Sequence, residues 1–175
     1  ELATQRYESL ANWLHRDASS VAAFSPAVYP QGSFRLGTVI RPLREVEEYD
    51  LDMVAELGAL TKRTISQQGL KKLVGDEIKG YAEANAVEEP AEEKNRCWRL
   101  NYADRLKFHM DILPAIPEGV ELKESLQEIG VPAGHAGHAI AITDISHPHY
   151  SVVQSEWPSS NPKGYALWFT ETMKP

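Results

Sequence analysis

Two stretches of this chain alternate along their length in a way that leaves little choice of local structure. Tyr49-Asp50-Leu51-Asp52-Met53-Val54 alternates apolar and acidic side chains, and Leu106-Lys107-Phe108-His109-Met110-Asp111-Ile112 alternates apolar and polar ones. A period of two belongs to a β-strand with one face on a core and the other turned away from it. Residues i and i+2 of a strand lie about 7 Å apart on one face. Asp50 and Asp52 therefore point the same way, with Tyr49, Leu51 and Met53 opposite, and Asp111 shares its face with Lys107 and His109. If the two strands are sheet neighbours, three carboxylates converge on one patch.

Around these strands the sequence reads as helices and short strands. Ala3, Tyr7, Leu10 and Leu14 recur at helical spacing over the first 16 residues, and Leu70, Leu73, Val74, Ile78 and Tyr81 mark one face of a helix over 66–84. Ala27-Val28-Tyr29 forms a short strand, and the charged stretch from Ala86 to Asn95 forms a loop. Cys97 to Leu100 pairs with Leu106 to Leu113 across a turn at Asn101-Tyr102-Ala103-Asp104. From Pro114 to Gly137 the chain is loop-rich, with a helical turn or two around Leu122, Leu126 and Ile129, and Ala139 to Ile142 is a further strand. Asn161-Pro162 supplies an N-cap and a first-turn proline for a last helix carrying Tyr165, Trp168 and Phe169. The order implies an α/β (α+β) domain: a mixed, mostly antiparallel sheet with helices on one face. Residues 1–175 read as one catalytic core, with an N-terminal helix over 1–16 and the catalytic sheet over 27–113.

Composition bounds the function classes. With 175 residues, 42 % of them apolar and 25 % charged, the chain can bury one core. A formal net charge of −7 argues against a protein that coats nucleic acid, so no stable DNA binding is expected. The single cysteine, Cys97, excludes an internal disulfide and fits a reducing cytoplasm. No apolar run approaches the roughly 20 residues of a membrane helix, so no membrane association is expected. The first residue is Glu1 rather than Met, and the chain reads as a fragment of a longer protein.

Three carboxylates held together repel one another, and a divalent cation relieves that repulsion. Hard oxygen ligands on a rigid strand suit Mg²⁺, with Mn²⁺ as an alternative. Two such ions clamp the attacking and leaving oxygens of a phosphoryl transfer. An Asp-x-Asp alone is more often a solvated strand face. Here Gly32-Ser33 follows a short strand 17 residues before Asp50, where a glycine lets backbone approach a phosphate and Ser33 donates to it. No Gly-x-Ser-x-Gly elbow and no Walker-type phosphate loop occurs, which excludes two common alternatives.

Gln31-Gly32-Ser33-Phe34-Arg35-Leu36-Gly37-Thr38, then Asp50-Leu51-Asp52, then His109-Met110-Asp111-Ile112-Leu113-Pro114 resemble the polymerase-β-type nucleotidyltransferase core. More narrowly, they resemble the bacterial cGAS/DncV-like nucleotidyltransferases of antiphage signalling. Ser160-Asn161-Pro162-Lys163-Gly164-Tyr165-Ala166-Leu167-Trp168-Phe169 resembles a further segment of that group. The resemblance implies that Asp50, Asp52 and Asp111 are catalytic metal ligands and that Gly32 and Ser33, with Gln31 beside them, hold the donor triphosphate. It implies ATP and other NTPs as substrates, a cyclic di- or trinucleotide product, a downstream effector activated by that product, and room for a regulatory partner protein. Family members also carry a largely helical second lobe, which this chain largely lacks.

Other candidates are weaker. Arg35 and Lys107 are placed to neutralise phosphate charge or to pair with the acidic loops. Ser160, Asn161 and Tyr165 are candidates for a nucleobase contact, whereas the spacing of Tyr165, Trp168 and Phe169 predicts core packing. Trp157 offers a further aromatic surface. His135, His138, His147 and His149 read as exposed loop histidines rather than a zinc site. Two rival functions remain open: a transferase that modifies protein or RNA, and a non-catalytic nucleotide-binding domain.

Overall fold

A computed structural model describes residues 2–37, 49–85, 87, 89–102 and 108–173. In chain order the elements are α1 (Leu2–His15), β1 (Pro26–Pro30), α2 (Gly32–Leu36), β2 (Tyr49–Leu57), α3 (Gln67–Ala84), β3 (Glu92–Glu93), β4 (Trp98–Tyr102), β5 (Phe108–Pro117), α4 (Val120–Glu128), α5 (Ala133–Ala136), β6 (Ile140–Ile142), β7 (Ser159–Ser160) and α6 (Pro162–Thr172), with a 3₁₀ turn at Ala22–Phe24. The strands form one sheet in the order β1-β2-β5-β4-β3, and β6 and β7 extend it alongside the far end of β5. Among the described residues only β2 and β5 run parallel, and the other pairings are antiparallel. A mixed, mostly antiparallel sheet is what the sequence leads one to expect.

The period of two in β2 sorts its side chains as the sequence implies. Leu51, Met53, Ala55 and Leu57 are buried in the main core, where Leu10 and Leu14 of α1 and Leu70, Val74, Ile78 and Tyr81 of α3 pack against them. Ser66 starts α3 by accepting from the Gly69 amide at 3.1 Å. Gly75 allows α3 to lie directly on β4, because a Cβ there would stand 2.3 Å from the Trp98 ring. On the opposite face a smaller apolar group (Val54, Leu113, Ala115, Ile140 and Ile142, with Tyr29 beside it) fills the end of the sheet away from the aspartates. Lys163 of α6 lies over the Tyr29 ring at 3.7 Å and reaches Glu56, so helices flank the sheet on both faces rather than one.

Two elements depart from the sequence reading. Asn101 and Tyr102 belong to β4 rather than to the turn, and the hairpin register pairs Arg99 with Asp111 and Tyr102 with Phe108. β5 continues through Pro114 to Pro117 where a loop was expected, because Leu113, Ala115 and Ile116 are buried in the centre of the sheet. Pro114 falls between Ile112, the last residue paired with β4, and Ala115, the first paired with β6, where that edge of the ladder is interrupted. Thr38, Ala86, Ala103, Asp104, Leu106 and Lys107, all named in the sequence analysis, lie outside the described residues.

Candidate active site

Parallel pairing of β2 with β5 sets Asp52 directly opposite Asp111 and Asp50 opposite His109. Residues in register on neighbouring strands share a face, so the three carboxylates stand on one side of the sheet, as the alternation required. Asp50 is exposed, while Asp52 and Asp111 are half-buried. The Asp52 carboxyl is held above its ordinary range, first by burial and then by the charges of Asp111 and Asp50; Arg99 opposes this only in part. Asp52 thus sits beside two like-charged groups whose effect Arg99 offsets only in part.

The glycine-serine turn is fastened to this same residue. The Gln31 amide donates to the Asp52 carbonyl at 2.8 Å, which extends the β1–β2 ladder by one rung. Gly32 follows with a φ of 61°, and a Cβ there would lie 2.6 Å from Asp52 Oδ2. Any other residue would therefore be both strained and in collision with the carboxylate. Gly37 closes α2 in the left-handed conformation, and no atom of the described residues lies within 4 Å of where its Cβ would stand.

Gly32 also lines a cleft of about 280 Å³, together with Arg35, Leu36, Ser160, Asn161, Pro162 and Tyr165. Two segments some 125 residues apart in sequence, both singled out as nucleotide-binding candidates, thus face each other across one opening beside the carboxylates. Asn161 caps α6 by accepting from the Gly164 amide at 2.9 Å and donates to the His135 carbonyl at 2.8 Å. Gln31 and Ser33 stand outside this lining: Gln31 is held against Asp52 and Ser33 is exposed at the start of α2.

The aromatic expectations are corrected. Tyr165 and Trp168 are 54 % and 50 % exposed rather than packed in the core, since the inward positions of α6 are taken by Gly164 and Ala166. Trp157 is a core residue whose indole donates to the Gln154 carbonyl at 3.0 Å. His135 is buried, with Nε2 3.2 Å from Glu171, and is not an exposed loop histidine; His138 and His149 are exposed.

One partner of the site escaped the sequence reading. Arg99 of β4 grips Asp111 with a two-pronged ion pair, Nε to Oδ1 and a terminal nitrogen to Oδ2, each 2.7 Å. Cys97, two residues earlier on the same face, has its thiol pushed up to about 11 by burial and by the neighbouring Asp111 charge. Among the described residues no three His, Cys, Asp or Glu side chains are drawn together as tightly as ligands around an ion. At Asp111 both oxygens are held by Arg99. The chemistry of the donor set nonetheless fits a hard divalent cation: three carboxylates on adjacent strands, with Asp52 half-buried beside two like charges.

Comparison with known proteins agrees with this geometry. A sheet carrying paired acidic residues beside a glycine-serine turn defines a nucleotidyltransferase-type core. The family described as "Cyclic GMP-AMP synthase DncV-like, nucleotidyltransferase domain" matches residues 26–114, and the chain belongs to that family. A c-di-GMP synthase of Roseivirga ehrenbergii is 28 % identical over 165 residues, covering 94 % of this chain and 36 % of the relative. The cyclic dinucleotide synthase CdnG of Bradyrhizobium diazoefficiens is 30 % identical over 122 residues, covering 70 % of this chain and 27 % of the relative. The solved structure of that CdnG in complex with GTP shares the fold, with a TM-score of 0.62 at 22 % identity over 95 % of this chain and 40 % of that one. The chain spans about a third of the length of these curated relatives. Among the described residues no helix is long and apolar enough to cross a membrane.

Proposed function

We propose that the protein containing this chain joins NTPs into a cyclic di- or trinucleotide signal. The observation that carries the reading is the meeting of Asp50, Asp52 and Asp111 on one sheet face with Gly32 pressed against Asp52. The similarity to a c-di-GMP synthase and to a cyclic dinucleotide synthase supports the choice of product class. In this reading Asp50, Asp52 and Asp111 hold Mg²⁺, or Mn²⁺ in its place. The bound ion supplies charge neutralisation on the triphosphate and makes the attacking hydroxyl more acidic.

The protein groups then divide the remaining work. Gly32, with no side chain to bar the way, lets the triphosphate come close to the backbone, and Ser33 donates a hydroxyl to it. Arg35, exposed on α2 at the cleft, neutralises phosphate charge. Ser160 and Asn161 contact the nucleobase, and Tyr165 offers it a ring face. Asp111 orients the ribose hydroxyl of a second nucleotide and accepts its proton. The hydroxyl oxygen bonds to the α-phosphorus as the bond to pyrophosphate breaks, and a second round closes the ring. A downstream effector that responds to the product, a role in antiphage defence, a regulatory partner protein and a cytoplasmic setting all belong to this proposal.

Mass spectrometry of products from the full-length protein with all four NTPs and Mg²⁺ tests it. Phosphatase-resistant cyclic species are expected. Linear or protein-attached nucleotides would instead favour a transferase of another kind, and nucleotide binding that never releases pyrophosphate would favour a non-catalytic domain.

A further inference from the structure

We infer that Arg99 is an exchangeable latch: it occupies Asp111 in the metal-free protein, and on loading it transfers its grip from the carboxylate to a phosphate of the incoming nucleotide. The inference rests on the metal-site reading above and adds a residue and an order of events to it. Three observations carry it.

The first is stoichiometric. Asp111 has two oxygens, and both are engaged by the Arg99 fork at 2.7 Å. A fork-to-fork pair is the strongest arrangement available to a carboxylate and a guanidinium, so a metal ion cannot take a full share of Asp111 without displacing at least one prong. Asp52, directly across the β2–β5 pair, is held by no such fork among the described residues. The two aspartates that face each other thus differ: Asp111 is gripped by Arg99 and Asp52 is not.

The second is positional. Arg99 lies on β4 in register with Asp111, so its backbone is fixed by the sheet and only its side chain needs to move. Its side chain is 27 % exposed, open toward the same face as the carboxylates rather than sealed in the core. Arg99 rotating away from Asp111 stays over the reaction face.

The third is chemical. A guanidinium that loses a carboxylate needs another planar, anionic acceptor, and phosphate oxygens match its donor spacing as carboxylate oxygens do. The triphosphate arriving with the ion supplies such an acceptor. Coupling the two exchanges keeps Asp111 compensated at every stage, by Arg99 before loading and by the ion after it. It also makes metal without nucleotide a poor ligand, because the displaced Arg99 then has no phosphate to take.

The test is Mn²⁺ affinity of the full-length, nucleotide-free protein, read by electron paramagnetic resonance of free Mn²⁺, beside the affinity for a non-hydrolysable NTP in Mg²⁺. Circular dichroism verifies that each variant is folded. Arg99→Gln is expected to tighten Mn²⁺ about fivefold in the absence of nucleotide and to weaken the NTP about fivefold, each equivalent to about 1 kcal/mol. Arg99→Lys, which keeps the charge but lacks the fork, is expected to tighten Mn²⁺ as well. A lysine variant that matches wild type would reduce the effect to net charge and overturn the latch, as would unchanged NTP affinity in Arg99→Gln. Adding Asp52→Asn to the Arg99→Gln variant separates the two claims. Loss of Mn²⁺ binding keeps the ion at the aspartates, whatever Arg99 does; retained binding puts it elsewhere and overturns the site reading together with the latch.

Discussion

Replacing Gly32 by alanine perturbs the site by a distance that the structure defines. The new Cβ would lie 2.6 Å from Asp52 Oδ2, about 0.8 Å inside the 3.4 Å at which ordinary van der Waals contact begins. A functional constellation tolerates roughly 0.5 Å of displacement before it loses its geometry. Either Asp52 moves beyond that limit or the turn moves, and the turn is tied to the Asp52 carbonyl through the Gln31 amide. The φ of 61° adds the left-handed penalty of about 1–2 kcal/mol for any residue with a Cβ. Gly37→Ala is the matched control, since Gly37 has a φ of 67° and a Cβ there would meet nothing within 4 Å among the described residues. Both variants are expected to lose about 1 kcal/mol or more in denaturant titrations. Only Gly32→Ala is expected to lose Mn²⁺ binding and product formation, by roughly the hundredfold that a misplacement near 1 Å can cost. Gly32→Ala that retains the Mn²⁺ affinity and rate of Gly37→Ala would refute the idea that the turn positions Asp52.

Other consequences follow from the packing. Glu77 is buried beneath α1, where the Ser20 amide donates at 2.6 Å and Arg16 at 2.7 Å. Burial alone would raise its carboxyl, but these hydrogen bonds and the Arg16 charge outweigh burial and hold it below 4.5. Its stabilisation is therefore present above pH 4.5 and lost as the pH falls through the depressed value. Glu77→Gln is expected to cost about 1–3 kcal/mol at pH 7, a gap that narrows in acid when unfolding is followed at several pH values; a gap independent of pH would contradict the assignment. Gly75→Ala pushes a methyl group into the Trp98 ring and is expected to lose about 1–3 kcal/mol, with a shift in tryptophan emission; an unperturbed melt would show that α3 can slide. Asn161→Ala removes the α6 cap and the bond to the His135 carbonyl, costing about 1–2 kcal/mol in thermal or chemical unfolding. Asp at 161 is expected to restore the cap alone, and a full recovery would leave the His135 bond without weight.

How far the sequence carries can be followed residue by residue. The alternation in Tyr49–Val54 and Phe108–Ile112 settled which faces are buried, because a period of two has one solution once a core exists. It left open that β2 and β5 are parallel neighbours, since strand order depends on where the intervening α3 and β4 pack. Arg99 was hidden by a register error. A turn at Asn101–Asp104 sets Arg99 opposite Leu106, whereas the observed register sets it opposite Asp111. The polar alternation of Cys97, Arg99 and Asn101 was the available signal, and with Asn101 assigned to a turn it could not be read as a strand face. The cleft between Gly32 and Tyr165 rests on contacts far apart in sequence, and only the motif resemblance pointed to both of its walls. Helical spacing misled at Tyr165 and Trp168, because a periodic aromatic stripe marks one face of a helix without saying what covers it.

The central claim is that one sheet face gathers Asp50, Asp52 and Asp111 around a divalent ion. Anomalous diffraction from crystals of the full-length protein with Mn²⁺ and a non-hydrolysable NTP tests it most directly. The account expects Mn²⁺ at about 2.1–2.2 Å from carboxylate oxygens of Asp52 and Asp111, with Asp50 in the same coordination sphere or that of a second ion. Mn²⁺ bound only by phosphates, or Asp111 still holding both Arg99 prongs with nucleotide in the cleft, would contradict it.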